Sequence, residues 1–258
     1  MKKFAAGLIA VAMSVTMLAG CGVPANTVHS VDDLEGKTIG VQLGTTGDIY
    51  AEDVKDAKVE KYNKGADAVQ ALKQGKLDAV IIDSEPAKAF VAKNDTLKIL
   101  DDPFAEEEYA IAYKKGNDEL GQKLDDALTK LKEDGTLDEI VSHWIGDDAD
   151  QKSYTPDDSV ERDGTLVMAT NAEFPPYESV DGETIVGVDV DMMQAVCDEI
   201  GMELKVENME FDSIIAAVQS GKADVGVAGM TVTPDREENV SFTQGYATTT
   251  QVIIVRKD

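Results

Sequence analysis

Two stretches of this chain repeat one plan, and that repeat limits the fold more than any other feature. ADAVQALKQGKLDAVIID (66–83) and FDSIIAAVQSGKADVGVAG (211–229) each run from a helical stripe through Gly-Lys-x-Asp into a strand. Counted back from the glycine, Leu72 and Val69 correspond to Val218 and Ile215, the inward stripe of a short helix. Gly75 and Gly221 fit the position just past the helix end, where left-handed backbone suits glycine. Strand and helix signals alternate along most of the chain, which predicts α/β layers on largely parallel sheets. With 258 residues, two similar lobes of about a hundred residues each are expected.

Between 31 and about 115 the pattern predicts strands at 37–43, 58–62, 78–82 and 108–114. Helices fall between them at 47–54, 65–74 and 84–93. Leu120, Leu124, Leu128 and Leu131 then recur at helical spacing, and Ile140, Val141 and Trp144 mark a second helix. DDADQKSYTPDDSVERDG (147–164) is polar, lacks periodicity and reads as a linker. A further α/β run starts at Thr165 and ends on the strand TTTQVIIVRK.

Lys2 and Lys3 precede an apolar run, Phe4 to Met17, that ends in Leu18-Ala19-Gly20-Cys21. This is the form of a secretory signal, too short for a comfortable membrane span. Its L-A-G-C ending resembles the lipobox of bacterial lipoproteins, which implies an acylated Cys21 as the mature N-terminus. The remaining Cys197 lies on an apolar helical pattern and reads as a small buried residue, so no disulfide framework is expected. With 50 acidic residues against 24 basic ones and a net charge of −26, nucleic acid and anionic headgroups are poor partners.

The usual catalytic signatures are missing: there is no G-x-S-x-G, no H-E-x-x-H, and His29 and His143 are the only histidines. EGKT (35–38) resembles the tail of a phosphate loop, but Val31 stands where its first glycine is needed. No metal or cofactor is expected. What remains are loops at the C-terminal ends of strands, where open α/β sheets bind ligands. VQLGTTGD (41–48) offers backbone N–H groups and the hydroxyls of Thr45 and Thr46 to an anion. VAGMTVTPDR (227–236) supplies Gly229, Thr231, Thr233 and Arg236, whose fork suits a carboxylate. IIDSEP (81–86) presents Asp83, either as partner for an ammonium or as N-cap of the next helix. ATNAEFPPYE (169–178) carries Asn171 and Phe174; Phe174 and Phe211 are core residues by default.

GTLVMATNAEFPPYESVDGETIVGVDVDMMQAVCDEIG and FDSIIAAVQSGKADVGVAGMTVTPDREENVSFTQGY resemble the first lobe of polar amino-acid-binding proteins of bacterial ABC importers, the family 3 extracellular solute-binding proteins. SVDDLEGKTIGVQLGTTGD and LKQGKLDAVIIDSEPA resemble the second lobe of that family, so the likeness runs from about residue 30 to 258. The resemblance implies a two-lobed periplasmic-binding-protein fold of type II, with α/β lobes joined by crossing strands and closing on one free amino acid. It implies that Arg236 takes the α-carboxylate, with the backbone N–H groups of Thr231 and Thr46. Asp83 would take the α-ammonium with the Gly229 carbonyl and the Thr231 hydroxyl. Phe174 and Phe211 would stack on the ligand side chain, while Asn171 and Gln42 tune its choice. Asn171 stands where family members often carry a carboxylate, which points to an uncharged polar ligand, though Glu173 nearby leaves arginine and lysine open.

The order departs from the family, in which the ATNAEFPPYE lobe comes first. A circular permutation is the simplest account, with the old termini joined through 147–164. The division is then a signal at 1–20, a lipid-anchored tether at 21–30 and the second lobe at 31–112, completed by 247–258. First-lobe helices occupy 113–146, and the first lobe proper 165–246. Asp258 is expected beside residues 28–33. The implied function is a monomeric, membrane-anchored, extracytoplasmic receptor that delivers an amino acid to an ABC permease. A dehydratase on the same fold is a second class, with Glu173 its one loop candidate for acid or base; an extracytoplasmic sensor is a third.

Overall fold

The chain crosses twice between two groups of α/β elements, and those crossings place every loop that matters. A computed structural model describes residues 23–257; the signal segment, Cys21 and Asp258 lie outside the described residues. In chain order the first elements are β1 (Thr38–Gln42), α1 (Thr46–Glu52), β2 (Lys58–Tyr62), α2 (Gly65–Lys73), β3 (Ala79–Asp83), α3 (Ser84–Ala92) and β4 (Leu97–Ile99). The long strand β5 (Ala105–Tyr113) leads to α4 (Asp118–Glu133) and α5 (Thr136–Trp144). Next come β6 (Thr165–Thr170), β7 (Glu173–Phe174), β8 (Glu178–Asp181), β9 (Thr184–Val186), α6 (Val188–Ile200) and β10 (Glu203–Asn208). The chain ends with α7 (Ile214–Ser220), β11 (Val225–Gly226), α8 (Pro234–Glu237) and β12 (Ser241–Arg256).

One sheet runs in the order β10-β6-β11-β5-β12-β3-β1-β2, with β4 on β12. Parallel β10, β6 and β11 form one lobe's layer, and parallel β3, β1 and β2 the other's. Antiparallel β5 and β12 lie between them and belong to both: Ala112 and Tyr113 of β5 pair with β11, while Gln251 to Ile254 of β12 pair with β3. β3 reads AVIID and is buried throughout, as an interior parallel strand requires. The outer strands β2 (KVEKY) and β10 (ELKVEN) carry charges that discourage pairing with another chain. Leu124, Leu128 and Leu131 of α4 are buried at helical spacing. Gly75 and Gly221 both adopt φ of 74° at the ends of α2 and α7.

β5 begins at Ala105, three residues ahead of the expected 108. Three consecutive glutamates argue against a strand, but Thr248 to Gln251 of β12 supply its ladder, and Glu106 and Glu108 face solvent. The stretch 147–164 contains no helix or strand, yet it is tied down at Asp198. That carboxylate accepts from the Tyr154 hydroxyl at 3.2 Å, the Asp157 N–H at 2.8 Å and Arg162 Nη2 at 2.5 Å. The two ends of the described chain also meet. Val28 and Leu34 share a core with Ile253 and Val255. The buried Arg256 guanidinium donates to Pro24 O at 3.1 Å, to Leu72 O at 3.0 Å and to Leu77 O.

Candidate functional site

The loops that leave β1, β3, β6 and β11 converge between the lobes, beside β5 and β12. There Gln42, Thr45, Thr46, Asp83, Asn171, Phe174, Phe211, Gly229, Thr231 and Arg236 line one cavity of about 280 Å³, counting its open side. All ten were singled out from the sequence; Ala228 joins them. The positions follow from local structure. Thr45 caps α1 by accepting from Asp48 N–H, Asp83 ends β3, and Thr233 caps the short α8 that holds Arg236.

Arg236 is only 6% exposed. It donates through Nη1 to Thr231 O at 2.7 Å and through Nη2 across the cleft to Gly44 O at 3.0 Å. Its guanidinium lies 5.3 Å from the centre of the Phe211 ring. Among the described residues no carboxylate is within ion-pair distance of it. Burial pulls its pKa below the ordinary value, while the charges of Glu107 and Asp83 act against that. Phe211 therefore packs on the arginine, and Phe174 stacks on Tyr177 at 6.0 Å; each still presents part of its surface to the cavity.

Thr231 pairs with Tyr109 in an isolated antiparallel bridge. The bonds flanking it, Ala110 N–H to Met230 O and Val232 N–H to Glu108 O, leave Thr231's own N–H and C=O turned away from β5. Its carbonyl meets Arg236, and its N–H points the same way.

Asp83, 4% exposed, makes no capping bond to α3. Its Oδ1 accepts from the Tyr109 hydroxyl. Burial, then the nearby charge of Glu107, raises its pKa to about 7. The sequence left Asp83 open between cap and ammonium partner; it stands at the N-cap position of α3, but its side chain makes no cap bond.

Gln42 Nε2 donates across the cleft to Asn171 Oδ1 at 2.8 Å and to Asn63 O at 3.1 Å, and Asn171 Nδ2 donates to Met209 O at 2.9 Å. Glu173 does not line the cavity; Lys64 Nζ, from the other lobe, pairs with it at 2.5 Å.

Three groups behind the cavity escaped the sequence reading. Tyr109, fully buried, holds Asp83. Glu107 takes the Thr46 and Thr231 hydroxyls, both at 2.9 Å, on one oxygen. Asp189, at the start of α6, accepts from Gly229 N–H at 2.8 Å and from the Tyr246 hydroxyl at 2.9 Å. Burial raises the Asp189 pKa to about 6, and burial together with the charge of Asp189 pushes that of Glu178 well above the carboxylate range. One signal was present: at the start of β5 burial alternates over 106–109, which turns Glu107 and Tyr109 inward and Glu106 and Glu108 outward.

The profile of the bacterial extracellular solute-binding proteins, family 3, matches residues 31–147 and 166–258. The arginine-binding extracellular protein ArtP of Bacillus subtilis is 39% identical over 93 residues, 36% of each chain. The L-cystine-binding protein TcyJ of Escherichia coli K12 is 35% identical over 124 residues, 47% of each. The chain thus spans about a third to a half of the length of these curated relatives. Among solved structures, an amino-acid ABC transporter substrate-binding protein from Streptococcus pneumoniae bound to L-arginine is 44% identical, over 29% of this chain and 33% of that one, at a TM-score of 0.28. With a profile matched over most of its length, the chain belongs to the bacterial extracellular solute-binding proteins, family 3.

Proposed function

We propose that this protein is the lipid-anchored substrate-binding component of an amino-acid ABC importer, taking a free L-amino acid between its lobes. One observation carries the reading: a buried guanidinium and a buried carboxylate, neither with an oppositely charged partner at ion-pair distance among the described residues, face the same small cavity. A zwitterion matches both charges, and each charge-assisted bond contributes about 1.5–3 kcal/mol. Arg236 with the N–H groups of Thr231 and Thr46 receives the carboxylate. Asp83, the Gly229 carbonyl and the Thr231 hydroxyl receive the ammonium. The relatives named for arginine and cystine support an amino acid as ligand. The neutral Gln42–Asn171 pair, and a Glu173 already matched by Lys64, favour an uncharged polar side chain.

The rest of the reading follows the family. Cys21 carries the lipid, the protein works outside the cytoplasm as a monomer, and an ABC permease receives the ligand. The chain order is a circular permutation, with a second lobe of 31–112 completed by 247–258, a first lobe of 165–246 with helices at 113–146, and 147–164 joining the old termini. Arg256 bonded to Pro24, and a profile match interrupted only at 148–165, support it. A dehydratase needs an acid or base at the ligand, and the carboxylate proposed for that role, Glu173, is held in its ion pair.

A thermal-shift panel of the twenty amino acids tests the reading: at least one neutral polar member raises the melting temperature at millimolar concentration. A panel without a shift overturns it. Affinity is also expected to climb with pH. The ammonium needs an ionised Asp83, whose pKa stands at about 7, so binding releases a proton and tightens between about pH 6 and 8. Calorimetry in buffers of different ionisation heat measures that proton; none released near pH 7 contradicts Asp83 as the ammonium partner. The same shift acts on stability with the opposite sign. The contribution of Asp83 is favourable below its unfolded value and is lost as pH rises through about 7.

A further inference from the structure

Glu107 sits on β5, 5% exposed, and does not line the cavity, yet it touches both walls. Its Oε2 accepts from Thr46 Oγ1 at 2.9 Å, Thr231 Oγ1 at 2.9 Å and Gln251 Nε2 at 3.0 Å. Gln251 Nε2 also donates to Thr46 Oγ1 at 3.2 Å. Thr46 opens α1, just past β1, in one lobe, and Thr231 lies in the loop after β11 in the other; Gln251 lies on the second crossing strand. One oxygen therefore gathers a donor from each lobe and one from the hinge.

A carboxylate oxygen only accepts, whereas a hydroxyl can donate once and accept twice. Both threonine protons are committed to Glu107, so both hydroxyls can offer a ligand nothing but lone pairs. Without that acceptor each Cβ–Oγ rotor would be free to donate instead. We infer that Glu107 is a positioning residue that fixes the polarity of this wall, and that it makes the cleft select an α-ammonium over an α-hydroxyl. The inference rests on the amino-acid reading and extends it to why the site tells an amino acid from a 2-hydroxy acid. An ammonium brings three N–H donors to Asp83, the Gly229 carbonyl and the Thr231 hydroxyl. A hydroxyl brings one, and above about pH 8, where Asp83 is ionised and can only accept, its own lone pairs find no donor, so the comparison below is made there. Leaving buried acceptors unmet is what makes such sites discriminating.

The test compares Glu107→Leu and Glu107→Gln with the wild type. The probes are the free L-amino acid that shifts the melting temperature most among the twenty, and the 2-hydroxy acid with the same side chain. In the wild type the amino acid binds far more tightly. In Glu107→Leu that preference falls by about tenfold or more, because the hydroxyls can now donate to the 2-hydroxy acid. Glu107→Gln retains most of the preference, since its amide oxygen can take the Oε2 place and accept the same donors. A folded Glu107→Leu that weakens both ligands equally, with the preference unchanged, overturns the inference and leaves only a structural role. Should that variant fail to fold, Glu107→Met, unbranched and of similar length, takes its place with the same readout. Absence of binding by any amino acid to the wild type is a different failure: it removes the amino-acid reading, and this inference with it.

Discussion

Arg236→Ala is expected to abolish measurable binding of the proposed amino-acid ligand while leaving the protein folded. The guanidinium is the one cation lining the cavity, and its removal leaves a ligand carboxylate with only backbone N–H groups. Losing one partner of a buried charge pair costs about 3–5 kcal/mol, a hundredfold to several-thousandfold in affinity. The fold survives for an electrostatic reason. Arg236 has no carboxylate partner among the described residues, and burial already works against its charge. The alanine forfeits bonds to Thr231 O and Gly44 O and the contact with Phe211, but it also spares the cost of burying a cation. Arg236→Lys keeps the charge without the fork and is expected to bind at least about tenfold more weakly than the wild type. Titration calorimetry on both variants decides the matter. An alanine variant that binds as the wild type does would remove Arg236 from the site.

Gly187→Ala is expected to cause the largest loss of stability of any single methyl addition considered. Gly187 precedes α6 with φ at 139°. A Cβ there would stand 2.2 Å from Tyr177 O and 2.7 Å from Pro176 O. Those are backbone atoms, and the same strip of chain receives the Val188 N–H on Pro176 O and the Asp189 N–H on Tyr177 O. Neither side can yield without breaking the start of α6. Backbone strain and overpacking together cost about 3–5 kcal/mol, a fall in Tm of roughly 10 °C for a domain of this size. Asp189, two residues on, loses its hold on Gly229 N–H, so ligand affinity drops too. Gly182→Ala is the control: its φ of 61° is also left-handed, but nothing lies within 4 Å of the added methyl. It should cost about 1 kcal/mol. Thermal melts that place the two variants together would refute the close approach at Gly187.

The lobes and the cavity lining were legible because each rests on a short local signal. A helix stripe, a Gly-Lys-x-Asp turn and a buried strand are contained within twenty residues, and the lining residues sit at the ends of such strands. The groups behind the cavity had no such signal. Glu107 reaches Thr46, Thr231 and Gln251 across 61, 124 and 144 residues of chain, and read locally it is one of three glutamates in an acidic run. Asp189 likewise reads as a first-turn helix acid, which the helix dipole alone would explain. Only the fold turns it toward Gly229. The stretch 147–164 was legible as lacking helices and strands, but not as tied, because its anchor Asp198 lies on a helix it does not adjoin in sequence.

The bond between Arg256 and Pro24 would also set, with Cys21 lipidated as proposed, how far the body could stray from a membrane. A lipid on Cys21, as proposed, would leave two residues, Gly22 and Val23, before the chain is pinned at Pro24, a span of at most about 10 Å even fully extended. Such a receptor would ride on a short mooring instead of a long leash. It would meet a permease by sliding in two dimensions with the lobe that holds Pro24 kept near the headgroups, and only a narrow range of tilts would be open to it.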